Sequence, residues 1–330
     1  MASNENGEQV PRVTVLTTTY ERADTLARPY ESLCEQTFSD FEWLVVDDRS
    51  NDGIRELVEG WKQEVPFDVR FVTQPQDRTG RHCALNIGAE SARGEFVRLL
   101  DSDDSCPPDS LNTLVAEWER IPSARRAEFA GVLGRTQFSD GTPFADPLPE
   151  SPLDSSPTEI RYQYRLEGDY VGMFRRDVLL KFPFPERQDV RYIPESIVFD
   201  RIGREYTVRY INEIIDIYHA GSEDGRLTTI DFRKKATEIR LLKQQQLNDD
   251  IEWAGDYPLN FAKLAANYVR LSLHEGRGLR TQAESLDSRL ARGYWLAAAP
   301  LGIFLYFSDR YWPNNPIISY IKSMYQNYDE

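Results

Sequence analysis

The sequence predicts an α/β fold: a Rossmann-like, mostly parallel sheet flanked by helices, followed by a helical C-terminal extension. Three observations predict it. Apolar strand-like runs alternate with segments of helical spacing in the N-terminal third, a polar cluster closes most of these runs, and beyond about Thr229 the strand pattern gives way to helical periodicity.

Val13–Thr18 reads as a buried strand, and Arg22–Gln36 follows as a helix with Leu26, Tyr30 and Leu33 on one face. Phe41–Val46 is a second strand, stopped by the turn-forming run Asp47–Gly53, where Asp47 and Asp52 are expected to stabilise the bend through their side chains. Ile54–Gln63 is a second helix, Val69–Thr73 a third strand, Cys83–Ser91 a third helix and Phe96–Leu100 a fourth strand. Pro107-Pro108-Asp109-Ser110 starts another helix. The Pro- and Ser-rich stretch Asp140–Pro157 loses periodicity and is expected to be a flexible insertion. Strand-like runs resume over Glu167–Arg176 and Tyr206–Tyr218, separated by Asp177–Leu180 and a helix near Pro194–Arg204. The helical region then carries Ile239, Leu242 and Leu247 in one stretch and Phe261, Leu264, Ala265, Tyr268 and Leu271 in another.

This pattern divides the chain into a polar, unstructured start (1–10), a main domain (11–228) and a helical region (229–330). No secretory leader is expected at that start. Within the last region, Tyr294–Phe307 is almost entirely apolar, interrupted by Pro300 and flanked by Arg289, Arg292 and Arg310. It is short for a bilayer span, which needs about 20 apolar residues. Two readings stand: an interfacial helix or hairpin giving peripheral membrane contact, or an ordinary helix packed on the main domain.

The chain has 330 residues, 40% of them hydrophobic and 12% aromatic, enough for a sizeable core. Its formal charge of −15, from 54 acidic and 39 basic residues, argues against nucleic acid as a partner, since a phosphate backbone needs a concentrated basic surface. The same acidity would also suit a high-salt habitat. Cys34, Cys83 and Cys106 show no paired metal spacing, which argues against zinc and a disulfide framework and for reduced thiols in the cytoplasm.

In a parallel α/β sheet, ligands gather beyond the carboxyl ends of the strands, and the polar clusters sit there. Thr18-Thr19-Tyr20 follows the first strand, Asp47-Asp48 the second and Asp101-Ser102-Asp103-Asp104 the fourth. In an extended chain Asp101 and Asp103 point the same way, and their repulsion asks for a divalent cation. Hard cations such as Mn²⁺ and Mg²⁺ take oxygen ligands and complete their shell with phosphates. The alternative is that these aspartates cap the next helix.

Val13–Tyr20, Leu44–Asp52, Ala84-Leu85-Asn86-Ile87-Gly88, and Gly94-Glu95-Phe96 leading into Asp101–Asp104 resemble, in this order and spacing, glycosyltransferase family 2. The resemblance covers Arg12 to about Ile121, continues as scattered signatures to about Thr229, and is faint thereafter. It implies an inverting enzyme of the GT-A fold, with a nucleotide-binding part (11–121) and an acceptor part (122–228). Such an enzyme moves a sugar from a nucleotide-diphospho-sugar to a hydroxyl acceptor, here a glycan or lipid-linked intermediate, on the cytoplasmic side or peripherally on that face of the membrane. By the resemblance, Thr18, Tyr20 and Asp48 contact the nucleotide, while Arg81, more than Arg78, supplies a basic group near it. The family's Ala-Arg-Asn stands here as Ala84-Leu85-Asn86. Asp103 holds the metal, with Asp101 near the metal or ribose and Asp104 behind them.

The resemblance further implies a base for the acceptor hydroxyl in an acidic segment after the Gly172-Met173-Phe174-Arg175-Arg176 strand. Glu195 is the candidate, with Glu186, Asp189 and Asp200 as competitors. In the loop Tyr218–Thr228, Arg226 would clamp phosphate and His219 would assist the metal. Two other classes remain open: a sugar-nucleotide nucleotidyltransferase, whose Gly-rich basic signature is missing after Leu16, and an inert GT-A scaffold.

Overall fold

In the computed structural model, residues 10–219 and 236–311 are described, and they fall into two compact units. The first takes residues 10–193 and 198–219; the second takes 194–197 and 236–311.

The first unit is built on an eight-stranded sheet in the order β3-β2-β1-β4-β7-β5-β8-β6. Its strands are β1 (Val13–Thr19), β2 (Phe41–Asp47), β3 (Asp68–Thr73), β4 (Phe96–Leu99), β5 (Phe129–Phe138), β6 (Leu153–Ser155), β7 (Tyr170–Arg175) and β8 (Thr207–Tyr218). β1 runs parallel to β2 and β4, β2 to β3, and β5 to β8, whereas β7 is antiparallel to β4 and β5, and β6 to β8. The carboxyl ends of β1, β2, β4, β5 and β8 therefore share one edge of the sheet with the start of β7. β1 and β2 are buried at every position, which is why they read as unbroken apolar or Thr-rich runs rather than as alternation. One face packs Val13, Trp43, Phe96, Trp118, Phe129 and Met173 into a single core.

Helices α1 (Ala27–Cys34), α2 (Ile54–Trp61), α3 (Arg81–Ser91), α4 (Ser110–Glu119), α5 (Pro157–Tyr162), α6 (Arg176–Lys181) and α7 (Ser196–Gly203) fill the connections. α1 starts five residues later than the spacing suggests, after a turn. Pro29 explains the shift, because in the first turn of α1 its missing N–H costs nothing, while a helix begun at Arg22 would hold it in the interior.

β5 is a strand the sequence pattern hides, since Gly131, Gly134, Arg135 and Gln137 break its apolar run. Gly131 is required there: a Cβ would stand 2.1 Å from the Met173 carbonyl oxygen across the β5–β7 ladder. Gly131→Ala is therefore expected to lower unfolding free energy by about 2 kcal/mol, the usual range for overpacking a core. A denaturant midpoint equal to that of the wild type would contradict it.

The stretch Asp140–Pro157 is not the featureless insertion expected from its composition. Leu153–Ser155 pairs with β8 as an edge strand, and Ser156 caps α5 in a reciprocal box with Glu159. The strand expected over Glu167–Arg176 shrinks to β7 because Arg165 (φ 56°) and Gly168 (φ 86°) turn the chain just before it.

The second unit holds α8 (Ala236–Asp249), α9 (Pro258–His274), α10 (Leu279–Glu284) and α11 (Arg289–Tyr311). α11 is one continuous helix through Pro300, not a hairpin. It packs closely on α9 at Gly302, where a Cβ would lie 2.6 Å from the Ala266 carbonyl oxygen. Asp309 fastens the pair, accepting from Arg270 Nε at 2.6 Å and bonded to His274 Nε2 at 2.9 Å. α11 also leaves Leu290, Leu296, Phe304, Phe307 and Tyr311 exposed, and its 23 residues make it long and apolar enough to cross a membrane by length and composition.

Candidate active site

The chain leaves extended geometry directly after β4, and Asp101–Asp104 forms a turn closed by the Asp104 N–H donating to the Asp101 carbonyl at 3.3 Å. The alignment of Asp101 and Asp103 along a strand, expected from the sequence, is thus replaced by a tighter arrangement. One carboxylate oxygen from each of Asp101, Asp103 and Asp104 lies within 4.8 Å of the others. Burial, then the charges of Asp101 and Asp103, push the Asp104 carboxyl up to about 8. Three crowded carboxylates of this kind are a donor set suited to a hard divalent cation, and the residues present fit Mn²⁺ or Mg²⁺.

Arginines from sequence-distant elements surround the turn. Arg81, at the start of α3, donates to Asp101 Oδ1 at 2.7 Å and to Thr18 Oγ1 at 3.2 Å, which joins the ends of β1 and β4. Arg22 Nη1 donates to Asp103 Oδ2 at 2.7 Å, and Arg28 Nη1 to the Asp103 carbonyl at 2.9 Å. Neither Arg22 nor Arg28 stands out in the sequence; the only signal is that Arg22 follows the polar end of β1. Arg78, by contrast, is paired with Glu90 and Glu186.

Asp48, at the end of β2, accepts from the Gly80 N–H at 3.0 Å and pairs with Arg49 at 3.1 Å. Gly80 has φ +89°, and a Cβ there would stand 2.6 Å from the Arg191 carbonyl oxygen, an oxygen that also accepts from the Arg81 N–H at 2.9 Å. The Arg191 guanidinium lies 5.3 Å from the ring centroid of Tyr20, which is 46% exposed. Thr18, Tyr20, Asp48, Arg81, Asp101 and Asp103 thus gather along one sheet edge. Asp47 serves its bend as expected, accepting from the Ser50 N–H at 3.1 Å, and Asp52 reaches across to the segment after β1 and accepts from the Ala23 N–H at 2.8 Å.

On the far side of the acidic turn, the His219 N–H donates to Asp104 Oδ1 at 3.1 Å and its Nε2 is bonded to Ser105 Oγ at 2.8 Å. Burial, then the positive charge of Arg28, lowers the His219 pKa. Arg226 lies outside the described residues. Glu195 stands immediately before α7, in the stretch 194–197 that groups with the second unit. Its three competitors are engaged with arginines: Glu186 with Arg78, Asp189 with Arg187 at 2.9 Å and buried Asp200 with Arg161 at 3.1 Å.

Comparison with known proteins places this site in context. Residues 14–176 match the family described as Glycosyl transferase family 2. A Campylobacter jejuni protein named GalNAc(5)-diNAcBac-PP-undecaprenol beta-1,3-glucosyltransferase is 22% identical over 277 residues, covering 79% of this chain and 86% of that one. EpsH of Bacillus subtilis, a glycosyltransferase by name, is 32% identical over 195 residues, 57% of this chain and 54% of its own. The chain spans only 38% of a further relative from Nostoc sp.. Among solved structures, S. aureus TarS superposes with a TM-score of 0.56 at 16% identity, with 91% of each chain covered.

Proposed function

We propose that the chain, whose residues 14–176 match glycosyl transferase family 2, is a metal-dependent, inverting glycosyltransferase of that family. It moves a sugar from a nucleotide-diphospho-sugar to a hydroxyl on a glycan or lipid-linked intermediate. The observation that carries this reading is the meeting of three carboxylates at the end of β4 with Thr18, Tyr20 and Asp48 at the ends of β1 and β2.

In this reading Asp101 and Asp103 hold Mn²⁺ or Mg²⁺, and Asp104 supports them from behind. Bound there, the cation would screen the diphosphate and stabilise negative charge on the departing nucleoside diphosphate. Tyr20, backed by Arg191, offers a ring for the base to stack on, and Asp48 an acceptor for a base N–H or a ribose hydroxyl. Arg81 and Arg226 supply guanidinium groups for the phosphates. Arg22 and Arg28 hold Asp103 in place. Glu195, in the acidic segment that precedes α7, takes the proton of the acceptor hydroxyl as it attacks.

The undecaprenol-linked substrate in the name of the Campylobacter relative supports a lipid-linked acceptor. A helix whose apolar side chains Leu296, Phe304 and Phe307 are exposed, with Arg289, Arg292 and Arg310 at its ends, suits peripheral attachment at the cytoplasmic face. The free thiols Cys34, Cys83 and Cys106 suit the same reducing compartment.

Incubation with a panel of nucleotide sugars and Mn²⁺ or Mg²⁺ tests the reading. At least one donor is expected to release its nucleoside diphosphate, and a chelator should stop the release. Pyrophosphate formed from sugar phosphate and nucleoside triphosphate, or no reaction with any donor, would overturn it.

A further inference from the structure

On the side of β4 away from β1 and β2, the same sheet edge carries a second group of side chains. Phe138 ends β5 and Tyr218 ends β8, and the ring of Phe144 lies 5.2 Å from each of theirs. Phe144 is 37% exposed. Its exposure is built in, not a consequence of a loose loop. A Cβ on Gly168, at φ +86°, would stand 2.2 Å from the Phe144 carbonyl oxygen. The Asp146 N–H donates to the Glu167 carbonyl at 3.0 Å, and Tyr170 Oη to the Asp146 carbonyl at 2.7 Å. Two tightly packed segments hold the ring out toward water.

A carboxylate stands at the rim of these rings. Asp169 Oδ2 accepts the Tyr218 hydroxyl at 3.1 Å, and its carbonyl accepts from Thr136 Oγ1 at 2.8 Å. Asp169 is exposed to solvent, and partial desolvation by the neighbouring protein raises its pKa. This group is tied to the acidic turn, because Ser105 and Ile217 bridge the turn to β8 and the His219 N–H reaches Asp104.

An exposed ring backed by two half-buried ones, beside an exposed carboxylate, matches the two faces of a sugar: an apolar face of ring C–H groups and an edge of hydroxyl donors. We propose that Phe144, Tyr218 and Asp169 form the subsite that binds the acceptor's sugar ring, so that the acceptor approaches across β4 from the nucleotide. This rests on the glycosyltransferase reading and, within the acceptor part (122–228) that the family resemblance implies only as a region, names the residues and a substrate class, a pyranose with a free C–H face.

Saturation-transfer NMR with the methyl β-glycosides of glucose, galactose, N-acetylglucosamine and N-acetylgalactosamine tests it on the full chain with Mn²⁺-free buffer. At least one glycoside should receive saturation at its ring protons. Phe144→Ala and Asp169→Asn should each weaken its binding roughly ten-fold, the scale of one lost aromatic or charge-assisted contact. Leu259→Ala, which removes another exposed apolar side chain, should leave it unchanged. A wild-type chain that binds none of the four, or variants that bind as well as the wild type, would overturn the subsite. Asp169→Asn keeps the side chain's shape, so a Phe144→Ala chain that melts early leaves the decision with it. UDP and GDP affinity, measured in parallel by calorimetry with Mn²⁺, should be the same in all variants. Absence of nucleotide binding in the wild type would bring down the catalytic reading, while the glycoside result would still decide the subsite.

Discussion

Asp103→Asn is expected to slow nucleoside diphosphate release by at least about 100-fold, the loss that follows when about 3 kcal/mol of transition-state charge stabilisation disappears. Asp103 is the carboxylate most heavily supported in the turn, with Arg22 on its side chain and Arg28 on its carbonyl, and its side chain is 24% exposed. The substitution keeps the shape and removes one charge from a trio in which burial, and then the neighbouring charges, raise the pKa of Asp104. Mn²⁺ affinity, read by electron paramagnetic resonance, should fall together with turnover. Glu195→Gln provides the contrast: turnover should fall while Mn²⁺ and nucleotide affinity stay, because the group assigned to the acceptor proton holds neither ligand. Normal turnover in Asp103→Asn would refute the metal assignment, and normal turnover in Glu195→Gln the assignment of the base.

The second large effect concerns stability beneath the site. Arg98, on β4, is fully buried and ion-paired with Asp216 on β8. Its other hydrogen bonds go to carbonyls, from Nη2 to Ile215 at 3.1 Å and from Nη1 to Leu99 at 3.2 Å. Asp216→Ala would leave a permanently charged guanidinium in the core with no counter-charge, at a cost of about 3–5 kcal/mol. Arg98→Met combined with Asp216→Leu should recover much of that loss, since the pair itself is worth little more than well-packed apolar groups. The measurement is the urea midpoint of each variant. If Asp216→Ala unfolds at the wild-type midpoint, the pair does not carry the charge balance assigned to it. The pair also links β4 to β8 across the strands between them, directly below Asp101 and Tyr218, so its loss should loosen the acidic turn as well.

Parts of this architecture are written in the local sequence pattern. β1, β2 and β4 are legible because strands buried on both faces need apolar or β-branched residues at nearly every position, and the turns around them need Asp, Asn and Gly; β3, a half-buried edge strand, shows through Val69, Phe71 and Val72. β5 was not legible, because Gly131 and Gly134 are there for neighbouring backbone and side chains that only the folded sheet brings close. β6 was hidden for another reason: three residues are too few to show a period.

The site divides the same way. The sequence by itself determined which residues stand at the ends of β1, β2 and β4, since strand ends follow from where the apolar runs stop, and it thereby nominated Thr18, Tyr20, Asp48, Asp101 and Asp103. Tertiary structure decided what those residues touch. Arg22 and Asp103 are separated by 81 residues, and Arg81 and Asp101 by 20, yet each pair is in contact at 2.7 Å. The bend that crowds Asp104 against its neighbours, the arginine beneath Tyr20, and the aromatic rim around Phe144 are likewise products of long-range packing. Local pattern encodes which groups face the core or the strand ends. Charge pairing and ring stacking depend on distances through space that chain separation does not encode.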